Sequence, residues 1–199
     1  MPQYCIMTPI EQEYLLSLAR RNIQKYLTDG SVLMLEQDSI PSDSLRDKRG
    51  VFVTLTINDG LRGCIGNLEP EQSIYQSVID NSLAAAFFDP RFPSLTISEL
   101  EKVKIEISIL GPLKKLQFST PEQFVNYLKQ KKPGIFIKKN FNQATFLPQV
   151  WLELPKPEEF LQQLCFKAGL DIGSWKDLDL EVYEYEVEKI QEADSKIKG

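Results

Sequence analysis

Apolar residues at Tyr14, Leu15, Leu18, Ile23 and Leu27 recur at three- and four-residue spacing, the period of a helix with one buried stripe. Directly ahead, Thr8-Pro9-Ile10-Glu11 spells a capping box with proline at the first helical position, and Gly30 follows the last apolar pair. The pattern predicts a helix from Pro9 to Thr28. Val51 to Ile57 is rich in β-branched residues and predicts a strand. Asn58-Asp59-Gly60 tolerates the positive φ of a hairpin turn, and Leu61 to Gly66 is the returning strand. Pro70 and Glu71 open a second helical pattern running through Ile74, Val78, Ile79 and Ala86. Its Ala84-Ala85-Ala86 run leaves room for a neighbouring backbone. Asp89-Pro90-Arg91-Phe92-Pro93 cannot prolong that helix, because each proline disfavours the helical region for the residue before it, and a rigid loop is predicted.

Farther on, Val103 to Ile109 alternates apolar and polar positions, which predicts a strand with one wet face. Thr120-Pro121-Glu122-Gln123 repeats the capping pattern before Phe124, Val125 and Leu128, and Lys131-Lys132-Pro133-Gly134 turns into the strand Ile135 to Ile137. Pro157 to Ala168 reads as an amphipathic helix closed by Gly169. Glu181 to Val187 alternates Tyr, Tyr and Val with acids, as expected of a late edge or half-exposed strand. Hairpins imply antiparallel pairing, and no strand-to-helix turn has the glycines of a dinucleotide fold. The fold class is α+β, with mainly antiparallel sheets flanked by helices. Glu36 to Gly50 is polar and long for a turn, which makes it the best candidate for a lid.

The 199 residues suit one large domain or two small subdomains, without marking a boundary. Lys and Arg number 23 against 28 Asp and Glu, a formal charge of −5, so no bulk cationic field favours nucleic acid. The chain has no histidine, which removes serine triads and His-ligated metal sites and leaves Cys, carboxylates, Lys and Tyr for chemistry. Cys5, Cys64 and Cys165 are widely spaced and odd in number; neither a disulfide framework nor a structural metal site is expected, and no cofactor is implied. The N-terminus lacks the pattern of a signal peptide, and no apolar stretch has the length of a membrane span, so a cytosolic location is expected. The mixed charge run from Glu184 to Lys198 reads as a solvated, frayed end.

Leu61-Arg62-Gly63-Cys64-Ile65-Gly66 packs a guanidinium, a thiol and two glycines into one short stretch. In an extended strand Arg62 and Cys64 share a face, and a nearby guanidinium stabilises a thiolate, which makes Cys64 the candidate nucleophile. Gly63 and Gly66 admit a ligand or another backbone. The alternative is that Cys64 packs as a small hydrophobe, Arg62 pairs with an acid and the glycines serve a bulge. Asp89 and Arg91 carry opposite charges on the proline-fixed loop, and Arg62 and Arg91 converging on one pocket would make an anion clamp. Gln149, in Thr145 to Val150, could orient a substrate, or its stretch could be a packed corner. Lys129, Lys131, Lys132, Lys138 and Lys139, with Phe136 and Phe141 for stacking, are the one local patch that could meet RNA, though they read first as a solvated face.

Four stretches in order, LRGCIG (61–66), DPRFP (89–93), ATFLPQV (144–150) and FLQQLCFKAGL (160–170), resemble the AMMECR-type domain family across nearly the whole chain. The resemblance implies a two-lobed α+β unit with the hexapeptide near the cleft between lobes, and no established reaction. It carries Arg62 and Cys64 over as the leading site residues. Microbial members are associated with a dioxygenase-like protein and a radical S-adenosylmethionine enzyme, which implies metabolite or RNA modification. Animal relatives are linked to protein-protein regulation, including ubiquitin-ligase substrate receptors, which implies an interaction module. A small anionic ligand and a protein are therefore the two partner classes in view. Oligomeric state is left open.

Overall fold

The computed structural model describes residues 6–36, 39–177 and 179–193. Cys5, Gln37, Asp38 and the end of the charged tail from Asp194 lie outside the described residues. The chain divides into two compact units, one formed by residues 1–110 with 188–199 and the other by 111–187.

In the first unit, α1 (Pro9–Asp29) starts with the capping box read from sequence and ends at Gly30, whose φ of 73° is the left-handed cap. β1 (Val51–Ile57) and β2 (Gly60–Asn67) form the predicted hairpin, with Asn58 and Asp59 at φ 51° and 61°. α2 (Ile74–Phe87) follows, then the short α3 (Ile97–Leu100) and β3 (Lys104–Leu110). α1 packs on α2, and α2 on β1 and β2. Leu15, Leu18, Ile23, Val53, Val78 and Ile107 belong to the shared core. The sheet has the order β2-β1-β3-β8, where β8 is Val187–Gln191.

The second unit holds β4 (Lys114–Leu116), α4 (Pro121–Lys131), β5 (Gly134–Lys139), β6 (Asn142–Phe146), α5 (Pro157–Lys167) and β7 (Glu181–Tyr185). Its sheet runs β4-β7-β5-β6, antiparallel throughout. Ile137 of β5 shares a buried core with Phe124 and Leu128 of α4 and Phe160 and Leu164 of α5. The α+β class with antiparallel sheets stands.

Several local expectations are corrected. α2 begins at Ile74 rather than at Pro70: the Ile74 N–H donates to the Asp47 carbonyl and Ser73 bridges Lys48, which holds the preceding residues extended. β7 is internal rather than an edge, since β4 pairs outside it. The sequence read as one strand from Glu181 to Val187 is two, broken at Glu186. The described part of the tail is held to the fold rather than frayed: Ile190 is buried, and both Glu192 carboxylate oxygens accept from Arg20. β3 has no clean wet face, because Ser108 is buried and Glu106 pairs with Lys189 at 2.6 Å.

The described part of the polar 36–50 segment is anchored, not lid-like. Ile40 and Leu45 join the core, and Ser42 and Ser44 donate to Glu11. Burial raises the Glu11 pKa, but donors from Ser42, Ser44 and Thr8 outweigh it and bring it down to about 2.

Candidate functional site at the β2 edge

The hexapeptide lies on β2, an edge strand whose inner neighbour is β1. Thr54 faces Cys64 and Leu55 faces Gly63, but Thr56 faces Leu61, so a bulge leaves Arg62 as the extra residue. Gly63 lies against the Ala85 backbone, where a Cβ would come 2.1 Å from the carbonyl oxygen. The small-residue run of α2 and a glycine of β2 therefore meet. A Cβ at Gly66 would strike the Phe52 ring at 2.3 Å. Both glycines admit protein, one a backbone and the other a ring.

Where α2 stops, the loop carrying Asp89 and Arg91 comes to β2. Asp89 is 3% exposed. Its Oδ2 accepts from the Cys64 N–H at 2.9 Å and from Arg91 Nη2 at 2.7 Å, and its Oδ1 accepts from Arg91 Nε at 2.9 Å. Arg91 Nη2 also donates to the Cys64 carbonyl at 3.1 Å. The Arg91 guanidinium, with help from the Cys64 and Arg91 backbone donors, overcomes burial and holds the Asp89 carboxyl well below the usual carboxylate range. Reciprocally, Asp89 raises the Arg91 pKa.

Arg62 makes a separate pair. Its Nε donates to Glu99 Oε1 at 2.8 Å and its Nη2 to Glu99 Oε2 at 3.2 Å and to the Pro93 carbonyl at 2.9 Å. That forked pair, with donors from Thr96, brings the Glu99 pKa down to about 2 against the pull of burial. Arg62 Nη1 is buried with no hydrogen-bond partner. Arg62 and Arg91 do converge, but on the ring of Phe92, at 5.9 and 5.5 Å from its centroid. Each brings its own carboxylate, so the two pairs are electrically balanced.

This changes the sequence-based picture. Arg62 is engaged by Glu99, and the guanidinium that touches Cys64 is Arg91. Cys64 is half-buried, and its Sγ lies 3.2 Å from Thr54 Oγ1. Glu99 and Thr54 were missed as site residues. Thr96-Ile97-Ser98-Glu99 does carry a capping-box signature, which the structure uses at α3; for Thr54 only its place on the facing strand gave a signal.

Gln149 belongs to the second unit. It is exposed, in a 3-10 turn (Pro148–Leu152). Thr145 donates to the Ile135 carbonyl and bonds Tyr185 Oη, so that stretch is a packed corner. Cys165 is fully buried, and burial pushes its thiol up to about 11. Phe136 is buried beside Tyr183 and Lys139 is paired with Asp177 and Asp179, which takes these two out of the lysine patch, while Phe141 is exposed. Among the described residues no His, Cys, Asp or Glu cluster could hold a metal, and no helix is long and apolar enough to cross a membrane. A cavity of about 410 Å³ in the second unit is lined by Phe118, Phe124 and Trp175, without any motif residue.

Comparison with known proteins identifies relatives across nearly the whole chain. The AMMECR1 family model matches residues 16–190. A protein of Methanopyrus kandleri is 38% identical over 190 residues, covering 94% of this chain and 90% of its own length. One of Thermococcus gammatolerans is 37% identical over 186 residues, covering 90% and 89%. The crystal structure of an uncharacterized protein from Pyrococcus horikoshii superposes with a TM-score of 0.84 at 34% identity, covering 94% of this chain and 93% of that one.

Proposed function

We propose that this chain, which belongs to the AMMECR1 family, is a noncatalytic protein-recognition module whose contact surface is centred on the Asp89–Phe92 loop and β2. The observation that carries this reading is that both motif guanidiniums are neutralised internally by partly or fully buried carboxylates. An anion clamp needs unspent positive charge; here Arg62 and Arg91 have spent theirs. A thiol enzyme needs a proton acceptor. Without histidine, the carboxylate next to Cys64 is Asp89, and its oxygens are occupied by Arg91 and the Cys64 N–H. What remains is a rigid, neutral platform with apolar residues beside it in sequence: Phe88 and Ile97 are each 64% exposed and Leu61 45%. Aromatic and Arg side chains set in a fixed frame are the usual anchors of protein interfaces.

The test places a photo-crosslinking p-benzoylphenylalanine at Phe88 or Ile97, with Phe141 and Phe166 of the second unit as exposed controls. The reading expects a discrete crosslinked protein from 88 and 97, absent from the controls, lost in Arg91→Glu and kept in Cys64→Ser. Equal capture from Phe141 would sink it. So would alkylation of Cys64 by iodoacetamide at neutral pH far faster than that of free glutathione, which would favour thiol chemistry on a small anionic substrate, in the metabolite or RNA modification setting the family resemblance implies.

A further inference from the structure

Cys64 faces Thr54 in the β1–β2 ladder, yet its N–H and C=O are used by Asp89 and Arg91. In an antiparallel pair, residues alternate between turning both backbone groups toward the partner strand and turning both away. Cys64 is thus a position that turns them outward, toward the open side of an edge strand. There a carboxylate accepts the N–H at 2.9 Å and a guanidinium donates to the C=O at 3.1 Å. A neighbouring strand would supply the same two partners, a carbonyl and an amide. The two side chains are locked to each other through Arg91 Nε and Nη2 on both Asp89 oxygens, and the Arg91 N–H donates to Asp89 Oδ1 at 3.1 Å. Pro90 stiffens the loop between them.

We infer that Asp89 and Arg91 act together as a strand surrogate that closes the outer edge of β2 at Cys64 against pairing with another strand. Exposed edges are a standing hazard of association, and proteins block them with charges, prolines or bulges. Here the block is bonded directly to the backbone of the strand it protects, and the Arg62 bulge lies two residues away. By the same alternation Gly66 turns its groups outward two residues beyond the clasp, which makes it an internal reference. The strand excluded is first of all β2 of a second copy, because antiparallel pairing about Cys64 is self-complementary and needs no other partner. The inference concerns the same loop as the recognition surface but does not depend on it: an edge block is required whether or not the loop also binds a partner.

Amide hydrogen exchange, resolved by residue, tests it. In the wild-type chain the Cys64 amide is expected to exchange at least about tenfold more slowly than that of Gly66, although both face outward. Asp89→Ala is expected to remove that difference while the β1-facing amides of Gly63 and Ile65 keep theirs. Should Asp89→Ala fail to fold, Arg91→Ala serves in its place: Arg91 is 54% exposed, so its loss leaves no hole, and it frees the Cys64 carbonyl and unlocks Asp89. Either variant is expected to associate at concentrations where the wild type does not, read by sedimentation velocity. Cys64 exchanging as fast as Gly66 in the wild type would overturn the inference. So would a folded variant with an opened Cys64 amide and the wild-type sedimentation profile at every concentration. Loss of crosslinking at Phe88 without a change in either readout would bear on the recognition surface alone.

Discussion

Two glycines of this chain are intolerant of a side chain for opposite reasons. At Gly63 the backbone is an ordinary strand, but the Ala85 carbonyl occupies the place of a Cβ at 2.1 Å. At Gly30 nothing lies within 4 Å, but φ is +73°. Gly63→Ala must push β2 from α2 and is expected to cost about 3 kcal/mol, the upper range of overpacking. Gly30→Ala is expected to cost about 1 kcal/mol, the penalty of the left-handed region alone. Urea unfolding of the two variants separates the causes, and the reverse order would mean that β2 does not press on α2. Asn22 is fixed by what its side chain bonds. Fully buried, it donates to the Ile79 carbonyl at 2.8 Å and to Ser82 Oγ, and accepts from the Leu33 N–H. Ser82 Oγ still donates to the Ile79 carbonyl without Asn22, but Asn22→Leu leaves the Leu33 N–H without its acceptor and is expected to cost about 2 kcal/mol in the same assay. The motif residues were legible as chemistry but not as geometry. The opposite charges of Asp89 and Arg91 and the small volumes of Gly63 and Ala85 could be read from the chain. Which guanidinium meets Cys64 could not, since the bulge at Arg62 and the long reach to Glu99 depend on strand register and on an element far along the sequence.

At the scale of elements, what the chain announces locally it builds locally. Helices with a capping residue and a closing glycine, α1 above all, sit where their patterns put them, because their hydrogen bonds and caps lie within the segment. β4 and β8 lacked such signals. Lys114–Leu116 is short and charged, and Val187–Gln191 follows β7 without a turn residue; both are strands because a partner strand completes them. Arg20 shows how much non-local bonding this takes. From α1 it donates to the Leu100 and Val103 carbonyls and to Glu192, whose Oε2 also accepts from the Ile105 N–H, so it ties the end of β8 to β3. Arg20→Ala is expected to cost about 2 kcal/mol, discounted for partial exposure of the ion pair, and to accelerate amide exchange in β8. Unchanged exchange between Val187 and Gln191 would show that the strand holds without the clamp.

For the molecule as a whole, acid is the informative stress. Glu11 and Glu99 ordinarily ionise near 4.5 and are brought down to about 2, and Asp89 is held below its ordinary 3.8. A carboxyl with a depressed folded-state pKa contributes stability that is fully present above its unfolded value and is lost as pH falls through the folded one. Stability is therefore expected to be level above about pH 5 and to decline from there toward pH 2. Urea midpoints across that range check this, and in Glu99→Gln the decline should be shallower while stability near neutrality is lower. A midpoint that stays flat to pH 2 would mean that these pairs do not distinguish the folded from the unfolded chain.

The chain path adds a matter of timing. The first sheet takes three of its strands from residues before 111 and its fourth from Val187–Gln191, with the whole second unit threaded between them. On a ribosome emitting roughly 5 to 20 residues per second, the segment that completes the earlier sheet emerges on the order of ten seconds after the rest of that sheet. Through that interval β3 has an unpaired edge, and the second unit likewise lacks β7, which joins β4 to β5, until just before β8 emerges. The half of the protein that is begun first is thus finished last, and a nascent chain stalled within 111–187 presents a chaperone with an open β3.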